Sequence, residues 1–145
     1  MTADTLTSGH TERAQPESFR AVSLSASLTV KDVKRSVAWY RDAIGFTVDR
    51  EYERDGRVLS VALKAGAVRI LLNHDDGAKG LDRAKGEGFS LMLTTTQSVD
   101  EVAKRIKASG TTLITEPTDM PWGARAFRVQ DPDGFKLAIS SERPS

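Results

Sequence analysis

A chain of 145 residues, 39% hydrophobic and 28% charged, is the size of one compact domain with a charged surface and enough apolar material for a core. With 21 Lys and Arg against 20 Asp and Glu the formal charge is +1, and no dense basic block supplies the footprint of a nucleic-acid-binding protein. The absence of cysteine excludes disulfides, thiolate metal sites and a cysteine nucleophile, and it suits a cytoplasmic protein.

Residues 1–20 are polar, mixed in charge and without an apolar run, so they read as a flexible tail and as neither a signal sequence nor a membrane anchor. Residues 22–30 alternate, with Leu24, Ala26, Leu28 and Val30 on one face and Ser25, Ser27 and Thr29 on the other, which predicts a half-buried strand. Asp32 can cap a helix whose apolar residues Val33, Val37, Tyr40 and Ile44 recur at helical spacing, and Gly45 stands where a left-handed C-terminal residue is wanted. Strands follow over 46–53, 58–64 and 68–73, divided by turns at Asp55-Gly56 and Ala65-Gly66. A glycine-rich, charged bridge covers 75–88, and then the pattern restarts. A strand over 89–95 precedes a helix opened by Ser98 with Glu101 three residues on, and Gly110 closes it. Strands over 112–115, 124–130 and 135–140 complete the second half. The last two are joined by Asp131-Pro132-Asp133-Gly134, a type I turn in which Pro presets φ and Gly takes the exit.

Both halves are thus βαβββ units, which gives an α+β class and a single domain over 21–142. Its parts are module one at 21–74, a linker at 75–88 and module two at 89–142.

Two segments carry more than periodicity. They are Val30-Lys31-Asp32-Val33-Lys34-Arg35-Ser36-Val37-Ala38-Trp39-Tyr40-Arg41-Asp42 in the first module, and Trp122-Gly123-Ala124-Arg125-Ala126-Phe127-Arg128-Val129-Gln130 running into the Asp-Pro-Asp-Gly turn in the second. In that order, on paired modules, the chain resembles the vicinal oxygen chelate superfamily, the glyoxalase, bleomycin-resistance and extradiol-dioxygenase group. The resemblance implies a cupped mixed sheet with helices on its outer face and a homodimer, with modules pairing either within one chain or between two. The group includes metal-dependent lyases, dioxygenases, epimerases and transferases beside metal-free drug-binding proteins.

In the metal-dependent members the inward strands present His, Glu, Gln or Tyr to a divalent ion, and the resemblance assigns the corresponding slots. The first lies seven residues before Asp32, at Ser25. The fourth-strand slot falls on Arg69 or Ile70, and that of the fifth strand on Phe89 or Leu91. The last, seven residues after Asp131, is Ala138. None is a usual ligand for such an ion. Of the two histidines, His10 belongs to the tail. His74, with Asp75 and Asp76, lies at a strand end where adjacent side chains diverge. No metal and no cofactor are expected.

Alternation places further residues beside those slots: Ser27 and Thr29 on the first strand; Arg69, Leu71 and Asn73 on the fourth; Phe89, Leu91 and Leu93 on the fifth; Ala126 and Arg128 on the seventh; Ser140 on the eighth. Trp122, between Pro121 and Gly123, could wall the cavity, stack on a ligand, or serve packing or a subunit contact. Trp39 and Tyr40 read as packing residues. An apolar, hydroxyl-lined cup with up to two guanidinium groups suits a small organic ligand with an anionic or carbonyl edge, held by Ser25, Ser27, Arg69, Asn73, Phe89, Leu91, Trp122, Arg128 and Ala138. Two alternatives stand beside this. One is a lyase or dioxygenase of the same group with displaced ligands, in which His74, Glu116 or Asp119 supplies the chemistry. The other is a dimerising module whose cup is filled by its own side chains.

Overall fold

The computed structural model describes residues 18–144, so His10 and most of the predicted tail lie outside the described residues. Module one runs β1 (Ser25–Val30), α1 (Val33–Trp39), a π-helical turn (Tyr40–Ile44), β2 (Thr47–Arg54), β3 (Arg57–Ala65) and β4 (Val68–His74). Module two repeats it as β5 (Leu91–Thr95), α2 (Val99–Ala108), β6 (Leu113–Asp119), β7 (Arg125–Gln130) and β8 (Lys136–Ser141). The sheets have equivalent strand orders, β1-β4-β3-β2 and β5-β8-β7-β6. In each, the first strand pairs in parallel with the last and the remaining pairs are antiparallel.

Local chemistry accounts for the element ends. The Asp32 carboxylate accepts the Arg35 N–H at 3.1 Å and the Ser98 hydroxyl accepts that of Glu101 at 3.2 Å, each satisfying a donor that the first helical turn leaves free. Asp55 at φ 54° and Gly56 at φ 76° are both left-handed, as a two-residue type I′ hairpin requires.

Three expectations need correction. Leu24 precedes β1 and is 92% exposed, so the strand starts at Ser25 and its buried face holds Leu28 and Val30. The first helix does not stay α-helical to Gly45. The Tyr40 carbonyl accepts from both Gly45 N and Phe46 N at 3.0 Å in a wider turn, and the buried residues along the two segments are Val33, Ser36, Tyr40 and Ala43. Glu116-Pro117 is not loop but part of β6, an edge strand whose register slips between Thr115 and Thr118, the setting in which a sheet tolerates proline.

The modules share one apolar core, in which Tyr40, Phe46 and Leu63 join Ile106, Phe127 and Leu137. Tyr40 meets Trp39 and Phe46 edge-on, at centroid distances of 4.9 and 5.6 Å. Trp39 donates its indole N–H to Thr111 at 2.9 Å, so both residues of the aromatic pair serve packing.

The Asp-Pro-Asp-Gly turn is the polar staple across the module boundary. Gly134 N–H closes it on the Asp131 carbonyl at 3.0 Å, while the Asp131 carboxylate accepts from Asp133 N and Phe135 N, both at 2.9 Å, and from the Tyr40 hydroxyl at 2.8 Å. Burial raises the Asp131 carboxyl above its ordinary value. Burial first, then the charge of Asp131, pushes the Tyr40 phenol far above its own. Asp133 accepts the Lys31 N–H at 2.8 Å and approaches buried Lys85 at 3.6 Å. Lys85, in the linker, also bonds buried Asp75 at 2.7 Å and the Thr29 carbonyl at 2.9 Å. The Lys85 hydrogen bond is the first cause that holds the Asp75 carboxyl at about 2, with the Gly77 N–H adding to it.

Candidate functional site

Each sheet turns one face to the helices and shared core and leaves an open face on the other side. On the first sheet the register places Ser25 beside Arg69, Ser27 beside Leu71 and Thr29 beside Asn73. Across the next pair Arg69 faces Lys64, Leu71 faces Ala62 and Asn73 faces Ser60. The chain therefore brings together Ser25, Ser27, Arg69 and Asn73 on one surface. Alternation with Leu28, Val30, Ile70 and Leu72 in the core determines it.

This surface is largely satisfied within itself. Arg69 bonds Asp49 at 2.6 Å and Lys64 approaches the same carboxylate at 3.7 Å, so Asp49 is held below the ordinary carboxylate range, by the Arg69 hydrogen bond first. Asn73 bonds Ser27 at 2.8 Å and Ser60 at 2.9 Å. Ser60 was not among the sequence-predicted site residues, although counting back along the hairpin from Ala65 would have set it opposite Asn73.

On the second sheet Ala138 stands between Arg128 of β7 and Met92 of β5, with Ala126, Ser140 and Thr94 forming the adjacent row. Arg128 and Ala138 are where the sequence predicts. Leu91 and Leu93 are not. They pair in register with Leu137 and Ile139 and pack on the core. Phe89 is also displaced: it precedes β5, is half exposed, and meets Phe135 at a ring distance of 6.2 Å. Counting alternation from Phe89 assumed that the strand face continued unbroken from the linker, whereas the apolar-in pattern of Leu91, Met92, Leu93 and Thr94 gives the opposite face. The fifth-strand slot is therefore Met92, which is 74% exposed.

The Arg128 side chain is exposed and makes no hydrogen bond or ion pair among the described residues, in contrast to Arg69 and to Arg125, whose guanidinium spans Asp100 and Asp119. Trp122 is 55% exposed in the β6–β7 connection, where Met120 N–H bonds the Ala124 carbonyl at 2.7 Å. It belongs to the second module, whereas the Ser27–Asn73 surface belongs to the first. A cleft of about 460 Å³ between the sheet edges is lined by Ser25, Arg69, Leu91 and Met92 among others. A second, of about 570 Å³, lies on the core side against Phe46, Val68, Leu93 and Ile139.

The four slots do not fit a divalent ion. Ser25, Arg69, Met92 and Ala138 present a hydroxyl, a cation, a thioether and a methyl group, and hard cations select several nitrogen or oxygen donors. Among the described residues no group of three or more His, Asp or Glu side chains gathers elsewhere. His74 shares its register position with Val30 and so lies toward the core side. Glu116 is held by Lys107 of α2 at 2.8 Å and Asp119 by Arg125 at 3.0 Å.

Comparison with known proteins agrees with the double-module architecture. The chain is 29% identical over 123 residues to an uncharacterised protein of Mycobacterium bovis, covering 80% of each. It is 25% identical over 122 residues to the lactoylglutathione lyase of Salmonella typhimurium, covering 80% of this chain and 89% of the relative. Among solved structures, TioX from Micromonospora sp. ML1 superposes with a TM-score of 0.69 at 21% identity, over 83% of this chain and 98% of that one. A glyoxalase I variant from Zea mays superposes at 0.70 and 22% identity, over 83% of this chain and 44% of that one. No helix of the described residues is long and apolar enough to cross a membrane. The model of the glyoxalase/bleomycin resistance protein/dioxygenase superfamily matches residues 22–139, and the chain belongs to that superfamily.

Proposed function

We propose that this protein binds a small organic anion on the open faces of its sheets without a metal ion. The observation that carries the reading is Arg128: a guanidinium in an inner strand, exposed, unpaired among the described residues, and flanked by the small side chain of Ala138. An unpaired guanidinium beside apolar surface suits a carboxylate with an apolar body, since Arg meets a carboxylate through two parallel hydrogen bonds. The slots occupied by Ser25, Arg69, Met92 and Ala138 support a metal-free mode. Exposure of Met92 and Arg128 speaks against a cup filled by its own side chains.

The working form is a cytoplasmic homodimer whose folded unit is 21–142, with modules at 21–74 and 89–142 joined by 75–88. Leu24 and Met92 are large apolar side chains left open in the single chain, which supports closure of the site by a second copy.

Titration calorimetry with benzoate and benzamide tests the reading. Benzoate binds more tightly than benzamide, and Arg128→Gln removes that preference by about tenfold or more, the size of a lost charge-assisted pair. A stoichiometric divalent ion in dialysed protein whose removal abolishes binding would overturn the metal-free reading.

A further inference from the structure

The hydrogen-bond chain on the first open face has a direction that atom types alone determine. The Leu28 carbonyl can only accept, and it lies 3.4 Å from one end of the Asn73 amide, so that end is the NH2 group. The same Nδ2 donates to Ser27 Oγ at 2.8 Å. The other end is therefore the carbonyl oxygen, and Ser60 Oγ, at 2.9 Å from it, must donate. Ser60 gives its proton to Asn73, and Asn73 gives one of its own to Ser27. The Ser27 oxygen is thus already an acceptor, while its single proton is donated to no group among the described residues. Ser27 is exposed on the face shared with Ser25 and Arg69.

From this we infer that Ser27 is the oriented hydrogen-bond donor of the ligand site, that Asn73 and Ser60 are the positioning residues that aim it, and that the ligand carries an acceptor oxygen, carbonyl or ether, besides its anionic group. The inference rests on the anion-binding reading of these faces and adds a second point of recognition to it. A hydroxyl free to rotate can donate or accept. One that already accepts from Asn73 keeps its proton for the ligand, so a ligand with an acceptor there gains a hydrogen bond that an apolar group of the same shape does not.

Two carboxylates of nearly equal shape, 4-acetylbenzoate and 4-isopropylbenzoate, isolate the effect, since both carry the same charge and only the first carries a carbonyl acceptor. The readout is the ratio of their dissociation constants in each variant. Ser27→Ala shifts the ratio against the acetyl compound by about three- to tenfold, the range of one net hydrogen bond. Asn73→Asp shifts it as much although the Ser27 hydroxyl remains, because two acceptor oxygens at position 73 draw the Ser27 proton inward. The added charge acts on both probes alike and cancels in the ratio. Ser60→Ala shifts it in the same direction, and Ser60→Thr, which keeps the hydroxyl, restores it. An unchanged ratio in Ser27→Ala or in Asn73→Asp overturns the inference.

If neither probe binds the wild-type protein, the anion-binding reading fails, and the side-chain amide of Asn73 then decides the relay by nitrogen-15 NMR without ligand. Slow exchange of its protons that becomes several-fold faster in Ser27→Ala upholds the relay. Exchange as fast as that of an exposed asparagine overturns it.

Discussion

Tyr40 gathers the most consequences of any side chain. Its ring is fully buried against Trp39 and Phe46, and its hydroxyl donates to a carboxylate of the other module. Tyr40→Phe keeps the ring but leaves the buried Asp131 oxygen without its donor, an effect of about 1–3 kcal/mol. Urea denaturation at neutral pH should show that loss, and a loss below the scatter of the measurement would mean that the bond contributes nothing net. The sign of the pH dependence follows from the raised phenol. Its contribution to stability is complete below the ordinary tyrosine value of 10.0 and is lost as pH climbs above it, because the unfolded chain ionises and the folded one resists. Wild type should therefore lose stability above pH 10 more steeply than Tyr40→Phe.

Among elements, the π-helical turn depends on Gly45 as its terminator. At φ 111° that residue occupies left-handed space, and a Cβ there would stand 3.2 Å from the Arg105 guanidinium, which donates to the Asp42 and Arg41 carbonyls at 3.3 and 3.4 Å. Gly45→Ala combines backbone strain with displacement of that cation from the helix end, so a loss of at least about 1 kcal/mol is expected in thermal or urea unfolding. A variant as stable as wild type would show that Arg105 moves aside at no cost. The elements differ in how openly the sequence declares them. Both N-caps, the Asp55-Gly56 hairpin and the face of β1 are legible, because each depends on neighbours a few residues away. The π turn is not, since the spacing of Val33, Val37, Tyr40 and Ile44 reads as an unbroken α-helix up to Gly45. The face of β5 was within reach but was misassigned. Its apolar-in alternation is present, and Phe89, held by Phe135 outside the strand, gave the wrong origin for the count. On the candidate site, Ala138 follows from the turn spacing and Arg128 from the alternation along β7, whereas the lack of an acidic partner for Arg128 is a property of tertiary placement and has no local signature.

For the whole molecule, the buried cluster of Lys85, Asp75 and Asp133 is the ionic part of the module boundary, and no composition or periodicity announces that a linker lysine would be its centre. With Asp75 held at about 2 against an ordinary 3.8, its contribution is complete above about pH 4 and is lost as pH falls toward 2. The raised Asp131 carboxyl works in the opposite direction, so the comparison is best made between wild type and Asp75→Asn. The variant should be the less stable at neutral pH, and the gap should close across that acid window. A gap that stays constant with pH would assign the stabilisation to packing and not to charge.

Lys85 also bears on what the covalent linker is for. Asp75 and the Thr29 carbonyl lie on one side of residues 77–82, and Lys85 and the Asp-Pro-Asp-Gly turn on the other. The Lys85 and turn contacts of the staple, along with the shared core, bypass that stretch, which meets the staple only through the Gly77 N–H on Asp75 at 2.9 Å and the Lys31–Asp82 pair at 3.4 Å. Limited proteolysis within 77–82 should therefore yield a nicked protein whose two fragments co-elute and retain native circular dichroism, and fragments expressed separately should complement each other when mixed. In Lys85→Met the same nick should release them more readily. The two halves behave as partners held by recognition, with the peptide connection serving mainly to keep their effective concentration high.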